Sequence, residues 1–291
     1  MRRSTAEPVL RPDIISAPMP TPSSPAAAPG PSPSLAPAAL AIVASKVVKR
    51  FGNFAAVDGL TLEVPQGAFY AFLGPNGAGK STTIALLTGI FGADEGQILL
   101  LGHDLRKDPL SVKAQIGVVF EELALFERLT AHQYLVFCAR MYGVNGDEAS
   151  RRANELLELV ELTAKANGLI ADFSKGMRRR LAIAAAVIHA PKILFLDEPF
   201  EGIDVIAAAV IRELLKELKR TGVTLFLTTH VLEIADKLAT HAGVIMAGAM
   251  RESGPVPELM ERHQARTLEA VFEKVVGSPK SAGVRLSFYG R

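Results

Sequence analysis

A glycine-rich segment that contains a lysine and two hydroxyl side chains gives the clearest chemical signal in the sequence. Its residues are Gly74, Pro75, Asn76, Gly77, Ala78, Gly79, Lys80, Ser81 and Thr82, which fit the pattern G-x-x-x-x-G-K-[ST]. Glycines let backbone N–H groups converge on phosphate oxygens, and the lysine can reach the terminal phosphates of a nucleotide. The Ser81 hydroxyl is a suitable ligand for Mg²⁺. We call residues 74–82 the phosphate loop; they predict a bound nucleotide with its magnesium ion.

Two carboxylates follow directly after a fully apolar run. Ile193–Leu196 is followed by Asp197 and Glu198. Asp197 is suited to holding Mg²⁺ through a water molecule. Glu198 points to the opposite face of the strand, where it can polarise a water molecule for attack on the γ-phosphate. The alternative is a strand that ends in solvated charges; the phosphate loop in the same chain favours the catalytic interpretation.

A histidine occupies the corresponding position after another apolar run. Thr224–Leu227 is followed by Thr228, Thr229 and His230. Ligands of open α/β sheets lie at the carboxyl ends of the parallel strands. A lone histidine is usually structural, but at this position we expect His230 to face the phosphates.

Short apolar runs alternate with longer amphipathic segments from residue 41 onward, which is typical of an α/β fold. Strands are predicted at Ala41–Val48, Phe69–Leu73, Ile98–Leu101, Ile193–Leu196, Thr224–Leu227 and Val244–Met246. Helices are predicted at Thr83–Leu87, Thr130–Tyr142, Asp147–Leu162, Ser174–His189 and Val205–Arg220. Because residues 130–190 carry no strand signal, we expect a helical insertion within the α/β core.

The composition limits the classes of protein that the sequence can represent. The chain has 291 residues, a formal net charge of +2 and 49% hydrophobic residues, which suits one large domain or two small ones. The single cysteine, Cys138, excludes an internal disulfide framework and a multi-cysteine zinc site. The charge balance gives no indication of nucleic-acid binding. The strongest candidate for a membrane span, residues 181–196, is interrupted by polar residues and is too short to cross a bilayer.

Residues 1–40 differ in composition from the rest of the chain. They hold ten of the 18 prolines and no aromatic residue, so we predict a disordered, Pro/Ala/Ser-rich tail. An export signal is the alternative, but a long proline-rich stretch separates Arg2 and Arg3 from the nearest apolar run. We place the main domain at residues 41–245, its helical subdomain at about 123–190, and a C-terminal extension at 246–291.

The segment Phe173–Leu181 resembles the signature motif, usually written LSGGQ, of the ATP-binding cassette (ABC) ATPases. It reads FSKGMRRRL, and Ser174 lies 23 residues before Asp197. The order of phosphate loop, signature, acidic strand end and His230 matches that family over about residues 41–245. The resemblance implies a P-loop NTPase core of the ABC ATPase type, with an inserted helical subdomain and a small antiparallel β element near the N-terminus. It also implies that the chain binds ATP with Mg²⁺ and hydrolyses it.

The resemblance also implies roles for further residues. Phe51 is similar to the aromatic residue that stacks on adenine, with an ordinary core phenylalanine as the alternative. Ser174 and Gly176 would contact the γ-phosphate held by the opposite subunit of a dimer. Asp204 belongs to a segment that resembles the D-loop between the two sites, and Ile116–Glu121 resembles the Q-loop. The implied metal ligands are Ser81, Glu121 and Asp197, and the implied catalytic residues are Glu198 and His230.

Three residues depart from the family pattern. Glu121 stands where the family usually has glutamine, and Lys175 and Met177 replace the usual glycine and glutamine of the signature. A carboxylate at position 121 can still bind Mg²⁺, although it adds negative charge beside the phosphates. We therefore expect a working site. The next three residues, Arg178–Arg180, are predicted to form a solvated helix face rather than a nucleic-acid-binding surface.

The segment Arg266–Phe272 resembles the ending of ATPase subunits from ABC exporters with separate membrane subunits, with a generic amphipathic helix as the alternative. The expected function is therefore ATP hydrolysis that powers export through a membrane-spanning permease. The expected partners are this permease and a second ATPase subunit, most simply in a homodimer, at the cytoplasmic face of the membrane. The expected coupling surface is the loop Glu121–Leu129 together with the helical subdomain.

Two other classes stay open at this point. One is a soluble ABC ATPase that acts on nucleic acid or ribosomes; such proteins usually have two cassettes or a long coiled-coil insertion, and neither is seen in this sequence. The other is a subunit that binds nucleotide without hydrolysing it, which Glu121 and Lys175 suggest. Retention of the phosphate-loop lysine, both strand-end carboxylates and the histidine argues against this second class.

Overall fold

The computed structural model describes residues 39–277. Its strands are β1 (Leu40–Phe51), β2 (Phe54–Pro65), β3 (Phe69–Leu73), β4 (Glu95–Leu100), β5 (His103–Asp104), β6 (Ile116–Val119), β7 (Ile193–Asp197), β8 (Thr224–Thr229), β9 (His241–Met246) and β10 (Ala249–Pro255). Its helices are α1 (Lys80–Leu87), α2 (Pro109–Lys113), α3 (Ala131–Met141), α4 (Gly146–Leu159), α5 (Lys175–Val187), α6 (Val205–Arg220), α7 (Leu232–Leu238), α8 (Val256–Arg262) and α9 (Leu268–Val276). No helix in this range combines the length and hydropathy that a membrane span requires. The predicted tail, apart from residues 39 and 40, and residues 278–291 lie outside the described part of the chain.

A six-stranded sheet forms the centre of the fold, in the order β10-β9-β3-β8-β7-β6. The strands from β9 to β6 are parallel to their neighbours, whereas β10 pairs antiparallel with β9 at the edge. Every residue of β3, β7 and β8 is buried, which explains why these strands are readable as apolar runs. The parallel arrangement brings the carboxyl ends of these three strands to one edge of the sheet.

A second sheet confirms the small antiparallel element predicted near the N-terminus. Its four strands lie in the order β2-β1-β4-β5. β1 and β2 form a hairpin whose tight turn, with Gly52 at a φ of 59°, places Phe51 opposite Phe54. The sequence did not predict β2, because Asp58 and Gly59 interrupt its apolar alternation. The hairpin also contacts the chain beside the central sheet: the backbone N–H of Asp58 donates to the carbonyl of Gly248 at 2.9 Å.

Helices α3, α4 and α5 form the predicted helical insertion. The residues that precede them, Thr130, Asn145 and Ser174, each accept a backbone N–H of the first turn with a side-chain oxygen, which satisfies donors that a helix start leaves free. Leu135 of α3 and Leu181 of α5 are buried in the same apolar cluster as Leu194 and Leu196 of β7. The insertion is therefore packed onto the central sheet through α5.

The segment after residue 245 packs directly on the central sheet. β10 completes the edge of that sheet, and Leu259 of α8 and Val271 of α9 are buried in one apolar cluster with Leu73 and Val244. Described residues 246–277 therefore share a core with the domain predicted to end at residue 245. The sequence did not predict β10, because its charged residues and glycine lack an apolar pattern.

Candidate functional site

The phosphate loop lies between β3 and α1, and close packing explains its glycines. A Cβ on Gly74 would lie 2.6 Å from the carbonyl oxygen of Ile245. Gly79 has a φ of 105°, and a Cβ there would clash with the carbonyl of Ala56. Lys80 is buried, and its ammonium donates to the carbonyls of Gly74, at 2.9 Å, and Pro75, at 3.3 Å. The loop is therefore closed on itself, with its backbone wrapped around the lysine.

A cavity of about 540 Å³ opens in front of this loop. It is lined by Phe54, Ala56, Asn76, Gly77, Gly79, Lys80, Ser81, Thr82, Glu121, Glu198, Glu201 and His230. The structure thus brings together most of the phosphate loop, the candidate base, the candidate histidine and two of the three candidate metal ligands, Ser81 and Glu121. The predicted residues outside this lining are Phe51, Gly74, Pro75, Ala78, Ser174, Gly176, Asp197 and Asp204.

Glu198 lies at the centre of the charged part of the cavity. Its side chain is buried, with Oε1 3.6 Å from the ammonium of Lys80. Oε2 accepts the backbone N–H of His230 at 3.2 Å and lies 3.0 Å from His230 Nδ1. The φ of Glu198 is 44°, a left-handed value that a non-glycine residue adopts at a cost. Its backbone N–H donates to the hydroxyl of Thr228 at 3.1 Å, which helps to hold this conformation.

Asp197 lies behind the cavity wall. It is 2% exposed, and its Oδ1 accepts the Thr228 hydroxyl at 2.5 Å. The structure therefore places two of the three predicted metal ligands, Ser81 and Glu121, on the cavity surface and the third beneath it. Thr228 bonds both strand-end carboxylate residues, a role that the sequence analysis missed because a threonine inside an apolar strand has many possible uses.

One wall of the cavity is acidic. Glu121, Glu198 and Glu201 line it, and Lys80 is the only lysine or arginine among the lining residues of the described chain. Burial raises the pKa of Glu121, and the negative charges of Glu201, Asp197 and Glu198 raise it further. Such mutual repulsion means that this set of oxygen donors favours a bound cation. Glu201 was not predicted as a cavity residue, because its segment was assigned only by its resemblance to the D-loop.

The two phenylalanines of the β1–β2 turn lie differently. Phe51 is 47% exposed and packs edge-on against Phe91, with 5.6 Å between ring centroids. Phe54, opposite Phe51 in the hairpin, is 64% exposed and lines the cavity. Phe54 was not predicted from the sequence; the only available signal was its position just after the glycine turn. The hairpin thus offers two exposed aromatic rings at this side of the phosphate loop.

The signature residues form a separate surface. Ser174 caps α5, and Gly176 packs so closely on α6 that a Cβ would lie 2.9 Å from that of Ala207. Asp204 caps α6 by accepting the backbone N–H of Ala207 at 2.8 Å, and this bond lowers the pKa of its carboxyl. Lys175 lies across Gly202, whose φ is 64°. The start of α5 and the D-loop segment are therefore in contact, while neither Ser174 nor Gly176 lines the cavity of its own chain.

The arginines that follow the signature do not lie as the sequence predicted. The solvated helix face expected for residues 178–180 is wrong: Arg179 is 1% exposed, and each of the three donates to backbone carbonyls. Arg178 donates to Phe173, and Arg180 donates to Val160. The physical reason is that a guanidinium offers five donors on a long side chain, which suits carbonyls left free where helices and loops end.

Comparisons with known proteins agree with this geometry. The sequence model of the family described as "ABC transporter" matches residues 57–201. The linearmycin resistance ATP-binding protein LnrL of Bacillus subtilis (strain 168) is 40% identical over 219 residues, which cover 75% of this chain and 70% of that protein. The bacitracin transport ATP-binding protein BcrA of Bacillus licheniformis is 36% identical over 224 residues, or 77% of this chain and 72% of that protein.

Solved structures give the same result. An ATP-binding subunit of an ABC transporter superposes with a TM-score of 0.75 at 27% identity, covering 81% of this chain and 99% of the other. A dimeric bacterial ABC transporter cassette superposes with a TM-score of 0.69 at 26% identity, over 74% and 98% of the two chains. The phosphate loop and the strand-end carboxylates lie at the same edge of the central sheet, as these matches require. The chain therefore belongs to the ABC transporter family, as an ATP-binding subunit that hydrolyses ATP.

Proposed function

We propose that the cavity in front of the phosphate loop is the Mg²⁺-dependent ATPase site, and that its turnover drives export through a membrane-spanning permease. The observation that carries the proposal is the Glu198 carboxylate, which is buried between the ammonium of Lys80 and the imidazole of His230. A carboxylate at that place is within reach of the terminal phosphate of a nucleotide whose phosphates occupy the loop.

Phosphate binding is assigned to the loop itself. Backbone N–H groups from Gly74 to Thr82 and the N-terminus of α1 present partial positive charge to the phosphates. The Lys80 ammonium contacts the β- and γ-phosphates, for which its position at the base of the cavity is suited. Phe51 and Phe54, on the adjacent hairpin turn, are the aromatic rings available for adenine, and we assign the stacking role to Phe51.

Glu198 is assigned the role of general base. Its side chain positions a water molecule in line with the γ-phosphate and accepts its proton. The ammonium of Lys80, 3.6 Å from Oε1, helps to hold the carboxylate at this place. His230 orients the carboxylate through the contact with Oε2 and is near enough to the cavity to bond the γ-phosphate.

Magnesium fits the donor set. Ser81 and Glu121 present a hydroxyl and a carboxylate to the same cavity, and hard oxygen ligands of this kind suit Mg²⁺. Asp197, held by Thr228, is the residue that would act through a water molecule. When bound, the ion neutralises charge on the phosphates. In its absence the carboxylates of the wall repel one another and the nucleotide.

The complete site requires two subunits. Ser174, Gly176 and Asp204 lie outside the cavity of their own chain, on a surface formed by the starts of α5 and α6. In a homodimer this surface closes the partner's cavity, so that the Ser174 hydroxyl and the N-terminus of α5 bond the γ-phosphate. The similarity to a dimeric cassette supports this arrangement.

The permease is proposed to bind at the helical subdomain, which comprises about residues 123–190. A groove of about 440 Å³ lies beside the segment Glu121–Leu129 and is lined by Ile90, Leu123, Leu125, Tyr134 and Tyr142 among others. Phe126 is 54% exposed beside it, and its ring lies 5.4 Å from that of Phe137. An apolar patch of this kind is typical of a protein-binding surface. Relatives named for linearmycin resistance and Nod factor export support export as the direction, from the cytoplasmic face of the membrane.

The site is tested by Glu198→Gln. The purified variant, with its permease where that is needed for activity, should bind ATP with Mg²⁺ like the wild type but hydrolyse it at least about a hundredfold more slowly, because the amide cannot accept a proton. The matched control is Glu213→Gln on the exposed side of α6, which should leave the rate unchanged. Hydrolysis by Glu198→Gln at the wild-type rate would contradict the assignment of the base.

A further inference from the structure

The largest fully buried side chain in the described part of the chain belongs to an arginine. Arg179 is 1% exposed and lies on α5, five residues after Ser174. Within residues 39–277, every carboxylate oxygen lies more than 4.0 Å from its guanidinium nitrogens, so Arg179 forms no ion pair there. A buried charge without a close partner is costly, so the surroundings must compensate it in another way.

Two backbone carbonyls supply the first part of the compensation. Arg179 Nη1 donates to the carbonyl of Phe120 and Nη2 to that of Glu121, both at 2.8 Å. Nε has no partner. The Glu121 side chain, in turn, lines the nucleotide cavity. Arg179 therefore holds the backbone of Glu121 from behind the cavity wall, while Glu121 itself lines the cavity.

The acidic wall supplies the second part. Burial lowers the pKa of Arg179, whereas the negative charges of Glu121, Asp197 and Glu201 raise it. An arginine stays protonated in proteins, so its positive charge acts on these three carboxylates beyond the range of a direct contact. On the cavity side, Lys80 is the only lysine or arginine among the described lining residues. The arginine behind the wall thus adds a positive charge near this acidic set.

We propose that Arg179 is a positioning residue for the nucleotide site: it fixes the backbone of Glu121 and supplies the positive charge that the Glu121 carboxylate requires beside bound phosphates. This inference rests on the proposed function, because the charge at position 121 matters to turnover only if the cavity holds a nucleotide. It requires that residues 121 and 179 depend on each other. A neutral side chain at position 121 removes most of the need for a positive charge at position 179.

Arg180 provides a matched control on the same helix. Its Nη1 donates to the carbonyl of Val160 at 2.8 Å, and its side chain is 12% exposed. Arg180→Gln therefore removes the same charge and also breaks a bond to a backbone carbonyl. Its bond, however, is to the end of α4 and not to Glu121. Any loss that it causes should be the same whether position 121 holds glutamate or glutamine.

The experiment compares wild type, Glu121→Gln, Arg179→Gln and the double variant. ATP affinity is measured by fluorescence titration in EDTA, so that no metal contributes, and kcat and KM are measured with Mg²⁺. With Glu121 present, Arg179→Gln should weaken ATP binding about tenfold, because an unbalanced carboxylate repels the phosphates. With glutamine at position 121, the same change should cost about threefold or less. Arg179→Lys, which keeps the charge, should retain most of the affinity.

Equal losses from Arg179→Gln in both backgrounds would overturn the proposal and leave Arg179 as a structural residue only. If Arg179→Gln does not fold, the proposal requires the double variant to fold, since the neutral side chain relieves the same charge imbalance; failure of both overturns it. The melting temperatures of the four proteins are also measured without nucleotide. They test the coupling between residues 121 and 179 independently of whether the cavity binds ATP. A larger drop for Arg179→Gln with Glu121 than with glutamine supports the coupling even if the wild type binds no ATP, a result that would reject only the proposed function.

Discussion

The phosphate loop and the signature surface differ in how completely one chain builds them. Residues 74–82 are contiguous, and their glycines, their lysine and the carbonyls around it form a closed loop beside the cavity. The signature surface joins Ser174 and Gly176 to Asp204, at the start of a different helix, and none of the three lines that cavity. One chain thus supplies the whole of the first region, whereas the second region, under the proposed function, completes the cavity of the partner subunit.

The largest effect is expected from removing the lysine of the phosphate loop. Lys80→Ala removes the positive charge at the base of the cavity and leaves Glu198 without its close cation. ATP hydrolysis should fall by about a hundredfold or more, as for loss of a group that stabilises developing charge. Steady-state phosphate release measures it. Lys216→Ala on α6, whose lysine is exposed and pairs with Glu213, is the control; near-normal activity of Lys80→Ala would remove the loop from the site.

A change in the second region should act only between subunits. In a Glu198→Gln background, which should trap ATP, we expect a dimer to accumulate with Mg²⁺-ATP. Adding Ser174→Arg should abolish that dimer, because it places bulk and charge at the capped start of α5, while ATP binding to each monomer stays within about twofold. Size-exclusion chromatography with light scattering, with the permease present if the chain alone stays monomeric, decides it.

Ser111→Arg, at an exposed position on α2, is the matched control and should leave the dimer intact. A dimer that persists with Ser174→Arg, or hydrolysis that is unaffected by this change in the wild-type background, would mean that the signature surface does not complete the partner's cavity.

The smallest effect is expected at Glu121. This residue lines the cavity in front of the phosphate loop, while its carbonyl accepts a hydrogen bond from α5, the helix that carries the signature residues. Glu121→Gln should keep ATPase activity within about threefold, because an amide oxygen can still bind Mg²⁺. Glu121→Ala should lose about tenfold or more, since no ligand atom remains. The two variants serve as each other's control in assays at varied Mg²⁺ concentration. Equal activity of Glu121→Ala and wild type would exclude Glu121 from the site.

The parts that the sequence predicted correctly share a local cause. The apolar strands β3, β7 and β8 are readable because burial on both faces excludes polar residues. Helices α3 and α5 are readable from their apolar spacing and their capping residues. In the same way, the close approach of other backbone to Gly74 and Gly79 explains why the phosphate loop is detectable in a single sequence.

The parts that it missed depend on contacts between distant residues. Arg179 looks like any surface arginine in the sequence, and only the fold shows that the carbonyls of Phe120 and Glu121 lie within its reach. Thr228 and Glu201 acquire their places from strand and loop neighbours that no spacing rule connects. Strand β10 lacks apolar alternation and is recruited by pairing with β9. In each case tertiary contact, rather than the residue's own propensity, decides the outcome.

Strand β10 has a consequence for how the isolated chain behaves in solution. It occupies one edge of the central sheet, where unpaired backbone groups invite further strands. Its pairing with β9 is irregular between Met250 and Glu252, it carries charges at Arg251 and Glu252, and it ends at Pro255. These features make a poor template for edge-to-edge association. The subunit should therefore resist β-sheet aggregation when it is produced without its permease, and this resistance is a property of the very segment that looked least like a strand.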